Sequence, residues 1–200
     1  DSMNESSDLN FVLDQIAKNA AIYHCDKHCV KMILEICQLL YTAWWCNNSD
    51  EKSINWYECE YEPYRKTHMN HPVSLWIREH KHHYDWALQV AKSLCEEYTR
   101  RYKKTHKCEK HLNRLEYMGY PNKDDNVISN VFKNSKKIAY VGCPDNCDYF
   151  YCAIPDDVFY ECASFTDGKL NACDTYRNYY KTKKFVMKWN KGIESGPIWF

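Results

Sequence analysis

The segment from His24 to Trp45, HCDKHCVKMILEICQLLYTAWW, carries one narrow polar stripe on an otherwise apolar surface. At 100° per residue, His24, Lys27, His28, Lys31, Glu35, Gln38 and Thr42 fall within an arc of about 100°. Nearly every other position is Cys, Val, Met, Ile, Leu, Ala, Tyr or Trp. A helix that is apolar almost all round packs inside its domain. Two His, two Lys and a Glu on one line need partners there, because desolvating charge is expensive. The stripe is therefore read as the lining of a cleft that requires charge. The alternative is a narrow, basic, solvated face.

Around this helix the pattern is mainly α. Asp14 to Ala21 has helical spacing and leads into the stripe. Asn70-His71-Pro72 starts a second helix, with Asn as cap and Pro in the first turn. From Val73 to about Lys104 the period stays helical, which would give one rod of about 45 Å. Its basic tail, including Arg100, Arg101, Lys103 and Lys104, complements the macrodipole. A third helix spans Asn171 to Trp189 and interleaves Tyr with Lys and Arg. Ile138 to Val141 reads as a short strand, and Asp167-Gly168 as a turn. The expected architecture is one compact domain, residues 9–200, of about three main helices. It has a loop-rich insertion around 118–147 and a short β element. Residues 1–8 form a polar lead, and Gly196 to Phe200 an apolar tail that packs back.

Net charge is zero with nine His, so bulk charge calls for no polyanion. No run approaches membrane-spanning length and no signal-peptide pattern opens the chain. Twelve Cys are many. Cys25, Cys29, Cys37 and Cys95 lie inside expected helices, where thiols behave as small hydrophobes. Free thiols in an intracellular protein are expected; disulfides in a secreted one are the alternative, in which case Asn47-Asn48-Ser49 is a glycosylation sequon. The spacings among Cys143, Cys147, Cys152, Cys162 and Cys173 match no zinc ribbon.

Two chemistries suit the stripe. His24 and His28 stand at i and i+4, a metal-ligand spacing, with a further ligand from His68, His71, His80 or His83. Lys27 and Lys31 would repel a cation there. The other chemistry is anionic: Lys27, Lys31 and two His form a phosphate-sized positive site, with Glu35 as its carboxylate. A carboxylate stabilises a cationic sugar transition state, and an amine attacks the sugar carbon.

The runs YHCDKHCVKMILEICQLLYTAW, THMNHPVSLWIREHKHHYDWAL, EEYTRRY and TYRNYYKTKKFVMKWN resemble an uncharacterised family of phage and large-DNA-virus proteins, over residues 9–112 and 149–200. DKHCVK followed by NHPVSLW is more distantly similar to the pyrimidine-dimer DNA glycosylases of the endonuclease V type. That resemblance implies a compact helical enzyme that flips nucleotides, forms a Schiff base through an amine and relies on a glutamate. It implies DNA as partner, no membrane and no cofactor. Those enzymes use a processed N-terminal amine; here about eight polar residues precede Leu9, so either the amine comes from a lysine or the lyase chemistry is absent. Glu35 lies further along the helix than the glycosylase glutamate; His28 is nearer that position but carries no permanent negative charge.

On this reading Lys31 or Lys27 is the nucleophile or phosphate clamp and Glu35 stabilises charge on the sugar. His28 and His71 transfer protons. Lys27, Asn70, Arg78, Arg177 and Lys184 hold the nucleic acid, and Trp76 or Tyr180 stacks on the flipped base or fills its gap. The rival readings are the metal enzyme of His24 and His28, and a non-catalytic binder of nucleic acid or a host protein.

Overall fold

The computed structural model describes residues 12–46, 60–121, 135–141, 149–191 and 196–200. Among them the chain forms seven helices and two small sheets. The order is α1 (Ala17–Tyr23), α2 (Asp26–Trp45), α3 (Pro72–Glu79), α4 (Lys81–Tyr102), α5 (Glu109–Met118), β1 (Ile138–Tyr140), β2 (Tyr149–Tyr151), α6 (Asp156–Cys162), β3 (Phe165–Thr166), β4 (Lys169–Leu170) and α7 (Ala172–Lys181). The fold is mainly α, as the helical periodicity requires. The polar lead, the sequon at Asn47, Cys143 and Cys147, and most of the 118–147 insertion lie outside the described residues.

The stripe helix α2 is the centre of the core. Its buried Cys29, Met32, Ile33, Ile36, Leu39 and Leu40 pack chiefly against α4, whose Tyr84, Ala87, Val90, Ala91 and Leu94 are buried in turn. The chain does not run straight from α1 into α2. His24 and Cys25 are extended, with ψ of 132° and 164°. A helix end leaves carbonyls without intrahelical donors, and here Arg101 of α4 supplies them. Its guanidinium donates to Ile22 O at 3.0 Å and His24 O at 2.7 Å. It also reaches Asp26 Oδ1 at 3.3 Å and Glu97 Oε1 at 3.1 Å. Arg101, expected in a basic tail that complements the macrodipole, is a buried fastener between α4 and the α1–α2 corner.

The expected rod from Val73 to Lys104 is broken at His80, which is extended at φ −139°, ψ 149°. His71, rather than Asn70, caps α3: its Nδ1 accepts the Val73 N–H at 3.1 Å, and Pro72 takes the first helical position. Past the break, His83 stacks on Trp76 at 4.2 Å, and its Nδ1 lies 2.8 Å from Trp76 O. Helical periodicity continues in phase across this corner, so side-chain pattern alone could not reveal it. α4 ends on Lys103 in the left-handed conformation, φ 59°.

β1 and β2 pair antiparallel, Ile138 opposite Tyr151. Asp167 and Gly168, both at positive φ, turn the β3–β4 hairpin. α5 lies in chain to which the sequence pattern assigns no helix, at the entry to the 118–147 insertion. α7 is shorter than expected and stops at Lys181. Asn171 caps it, its side chain accepting the Asp174 N–H at 2.9 Å. The tail packs back as expected: Trp199 meets the Tyr23 ring edge-on at 5.7 Å and Phe200 meets Trp189 at 4.7 Å.

Candidate nucleic-acid interface

The stripe divides by burial. Lys27 and Lys31 are exposed, Gln38 is half-buried, and His24, His28, Glu35 and Thr42 are buried. Lys31 Nζ stands 3.7 Å from Glu35 Oε1, one turn along. The Lys31 side chain is 43% exposed and that of Glu35 5%, so this ion pair has one foot in solvent and one in the core. No helix among the described residues is long and apolar enough to cross a membrane.

The first turn of α2 is fixed by the chain beyond α7. Asp26 N–H donates to Lys188 O at 2.8 Å, and Asp26 Oδ2 accepts the N–H of Asn190 at 2.6 Å and of Lys191 at 3.2 Å. His28 Nδ1 lies 2.8 Å from the Tyr180 hydroxyl, which also accepts the Cys25 N–H. The stripe therefore adjoins the 181–191 segment at its N-terminal half. At its other end Thr42 Oγ1 donates to Thr67 O and accepts from Thr67 N–H, both at 3.1 Å, which ties the loop before His71 to α2. Eleven residues separate Lys31 from Thr42, a rise of about 16 Å.

Several expected site residues prove to be scaffold. Trp76 is 1% exposed, donates to Tyr149 O at 2.6 Å and stacks on Phe150; Tyr180 is fully buried. Neither ring offers a face to a base. Arg78 is buried and donates to Ser74 Oγ. Arg177 donates to Leu13 O and Asp14 and lies over the Tyr23 and Trp199 rings, so its charge serves the interior. His28 is held neutral: burial first, then the charges of His24, Lys27, Lys31 and Lys183, lower its pKa to about 2. His71 is likewise lowered, by burial and then by His68, and its Nδ1 is committed to the α3 cap.

The metal alternative also fails on geometry. His24 Nδ1 is 2.5 Å from Ala20 O and His28 Nδ1 faces Tyr180, so these nitrogens serve other partners. Among the described residues no group of three or more His, Cys, Asp or Glu is arranged to hold a metal. The nine described cysteines are all unpaired.

What faces solvent is a basic edge: Lys27 and Lys31 from α2, Lys183, Lys184 and Lys188 beyond α7. Asn70 is exposed on the separate loop before α3. The bonds of Asp26 to Lys188, Asn190 and Lys191 hold the chain beyond α7 against the first turn of α2, so the two groups of lysines lie on neighbouring surface. Lys184, and not Lys183, is among the residues expected from the sequence to hold the nucleic acid. An amine beside a buried carboxylate, set in a basic edge, has the charge to receive a phosphodiester backbone.

A profile of the pyrimidine dimer DNA glycosylase family matches residues 10–110, and the chain belongs to that family. The matched segment carries α1 to α4, and hence Lys27, Lys31 and Glu35. Residues 149–200, included above in the resemblance, lie outside the match. Searches of curated proteins and of solved structures returned no match.

Proposed function

We propose that the protein excises pyrimidine dimers from duplex DNA at the solvent edge of α2, with Lys31 as the amine and Glu35 as the carboxylate. The observation that carries this reading is their placement: a half-exposed amine 3.7 Å from a buried carboxylate, within the family-matched segment. Attack requires the free amine; the proton it sheds passes to water, so Glu35 stays ionised. The Lys31 nitrogen bonds to C1′ while the C1′–N1 glycosidic bond breaks. The bonding pair leaves with the base, which takes up a proton. Opening of the sugar ring at O4′ then gives an imine. Glu35 meanwhile stabilises positive charge spread over C1′ and O4′. Lys27, Lys183 and Lys184 contact phosphates, and Asn70 lies on a second approach surface.

Borohydride trapping on a dimer-containing duplex tests this. The native chain should form a covalent adduct that Lys31→Ala abolishes. Glu35→Gln should retain binding and lose about 100-fold or more in single-turnover rate. Lys27→Ala together with Lys183→Ala should reduce the slope of log binding constant against log salt by about 2. An adduct that survives Lys31→Ala would move the nucleophile elsewhere. Salt-sensitive binding with unchanged DNA would favour the non-catalytic reading.

A further inference from the structure

Immediately after Lys181, the last residue of α7, the chain makes an exposed turn, Thr182-Lys183-Lys184-Phe185-Val186, before Met187 and Trp189 re-enter the core. Phe185 is 93% exposed and Val186 52%. Other large aromatics stand as open: Tyr117 at 93%, Tyr160 at 73% and Phe165 at 65%. Their surroundings differ. Tyr117 follows Glu116, Tyr160 lies between acidic Asp157 and Glu161, and Phe165 precedes Thr166 and Asp167. Phe185 is the one among these flanked by lysines on both sides, Lys183 and Lys184 before it and Lys188 after.

The turn is rigidly mounted. Thr182 N–H donates to Asn178 O and Tyr179 O, Lys183 N–H to Tyr180 O, and Val186 and Met187 N–H to Lys183 O. Met187 is 2% exposed and Trp189 6%, and Trp189 Nε1 donates to Tyr23 O at 3.1 Å. Gly196 lies so close that a Cβ there would sit 2.8 Å from the Trp189 ring, which keeps the outgoing chain pressed on the anchor. Directly after Trp189, Asp26 clasps the amides of Asn190 and Lys191. Phe185 is therefore presented on the same body as Lys27 and Lys31.

We propose that Phe185 is a wedge that enters the DNA stack and occupies the space vacated when a nucleotide is extruded. This rests on the reading of the protein as a DNA glycosylase. An exposed ring is unfavourable in water and stacks on any base; flanking lysines bring it to a phosphate backbone and set its depth. Extrusion costs unstacking energy, which an inserted apolar side chain offsets. Charge complementarity selects DNA over an apolar partner surface, since four lysines surround two apolar residues. Phe185 is a positioning residue: it touches the stack, not the reacting sugar. It takes the role that buried Trp76 and Tyr180 cannot perform.

The test uses the full chain and a duplex with a thymine dimer and 2-aminopurine as the reporter base opposite it. Wild type should raise 2-aminopurine fluorescence on binding. Phe185→Ala should unfold at the same temperature, bind undamaged duplex within about threefold, abolish the fluorescence rise and slow single-turnover excision about tenfold or more. Phe185→Leu should recover most of both signals. A Phe185→Ala protein with wild-type fluorescence and excision overturns the wedge while leaving the glycosylase reading intact. A wild-type chain that neither binds nor cuts the damaged duplex overturns both. Phe185-dependent sedimentation with phosphatidylserine vesicles, with DNA behaviour unchanged by the mutation, reassigns the tip to a lipid surface.

Discussion

Arg101 shows how much one side chain holds. Its side chain is wholly buried and it donates to two backbone carbonyls and two carboxylates. Burial pushes the Glu97 carboxyl up, but the hydrogen bond from Arg100 and the charges of Arg101 and Arg100 bring it below its usual value. Removing the guanidinium leaves the carbonyls of Ile22 and His24 without that donor. Arg101→Met should therefore cost about 3–5 kcal/mol of stability, read from urea unfolding. Arg101→Lys should recover only part of it, because an ammonium cannot span the fork. Equal stability of all three proteins would show that the corner is held by packing alone. Burial also separates residues that sequence reasoning grouped together: Lys31 remains at the surface and His28 does not, though one turn holds both.

At the scale of elements, caps and corners set the boundaries. Asn171 ends the β4–α7 connection, accepts the Asp174 N–H and donates from Nδ2 to Thr166 Oγ1 at 3.2 Å. Asn171→Ala should cost about 1 kcal/mol, and the loss should appear as a lower thermal midpoint. Asn171→Asp should retain most of the stability. The stripe helix, the Pro72 start, the Asp167-Gly168 turn and the tail were legible because each depends on local chemistry. The corners at His24 and His80 were not, because their partners, Arg101 and His83, act through folded contacts. The same holds at the site. Lys27, Lys31 and Glu35 could be read from one helix, whereas Lys183 and Phe185 needed α7 to stop at Lys181. Nothing in the Tyr-Lys-Arg alternation of 176–188 marks that stop.

Across the whole molecule, buried imidazoles link folding to protons. Burial, with Arg101 adding to it against the Ala20 hydrogen bond, lowers His24 to about 4. Burial and then Arg114 lower His111 to about 4, Lys110 adding and Cys108 opposing. His28 falls to about 2 from burial and its four cationic or titratable neighbours. All three titrate near 6.5 once unfolded, so the unfolded chain binds more protons at any pH below that. Their stabilisation is complete above about pH 6.5 and declines as pH falls towards 4. Each histidine contributes up to about 1.4 kcal/mol per pH unit in that window. Urea midpoints between pH 7.5 and 4.5 should fall accordingly; a flat profile would refute the assignment.

The clasp of Asp26 on the Asn190 and Lys191 amides has a kinetic consequence. It joins segments more than 160 residues apart in the chain, so the spacing between the α2 lysines and the Phe185 turn is set during folding. A charged surface with preset spacing has little conformational freedom left to lose at encounter. Association should then be governed by diffusion and electrostatic steering, with a rate that falls steeply with ionic strength. Substitutions that loosen the clasp should slow the capture of a polyanion even when they leave every lysine in place.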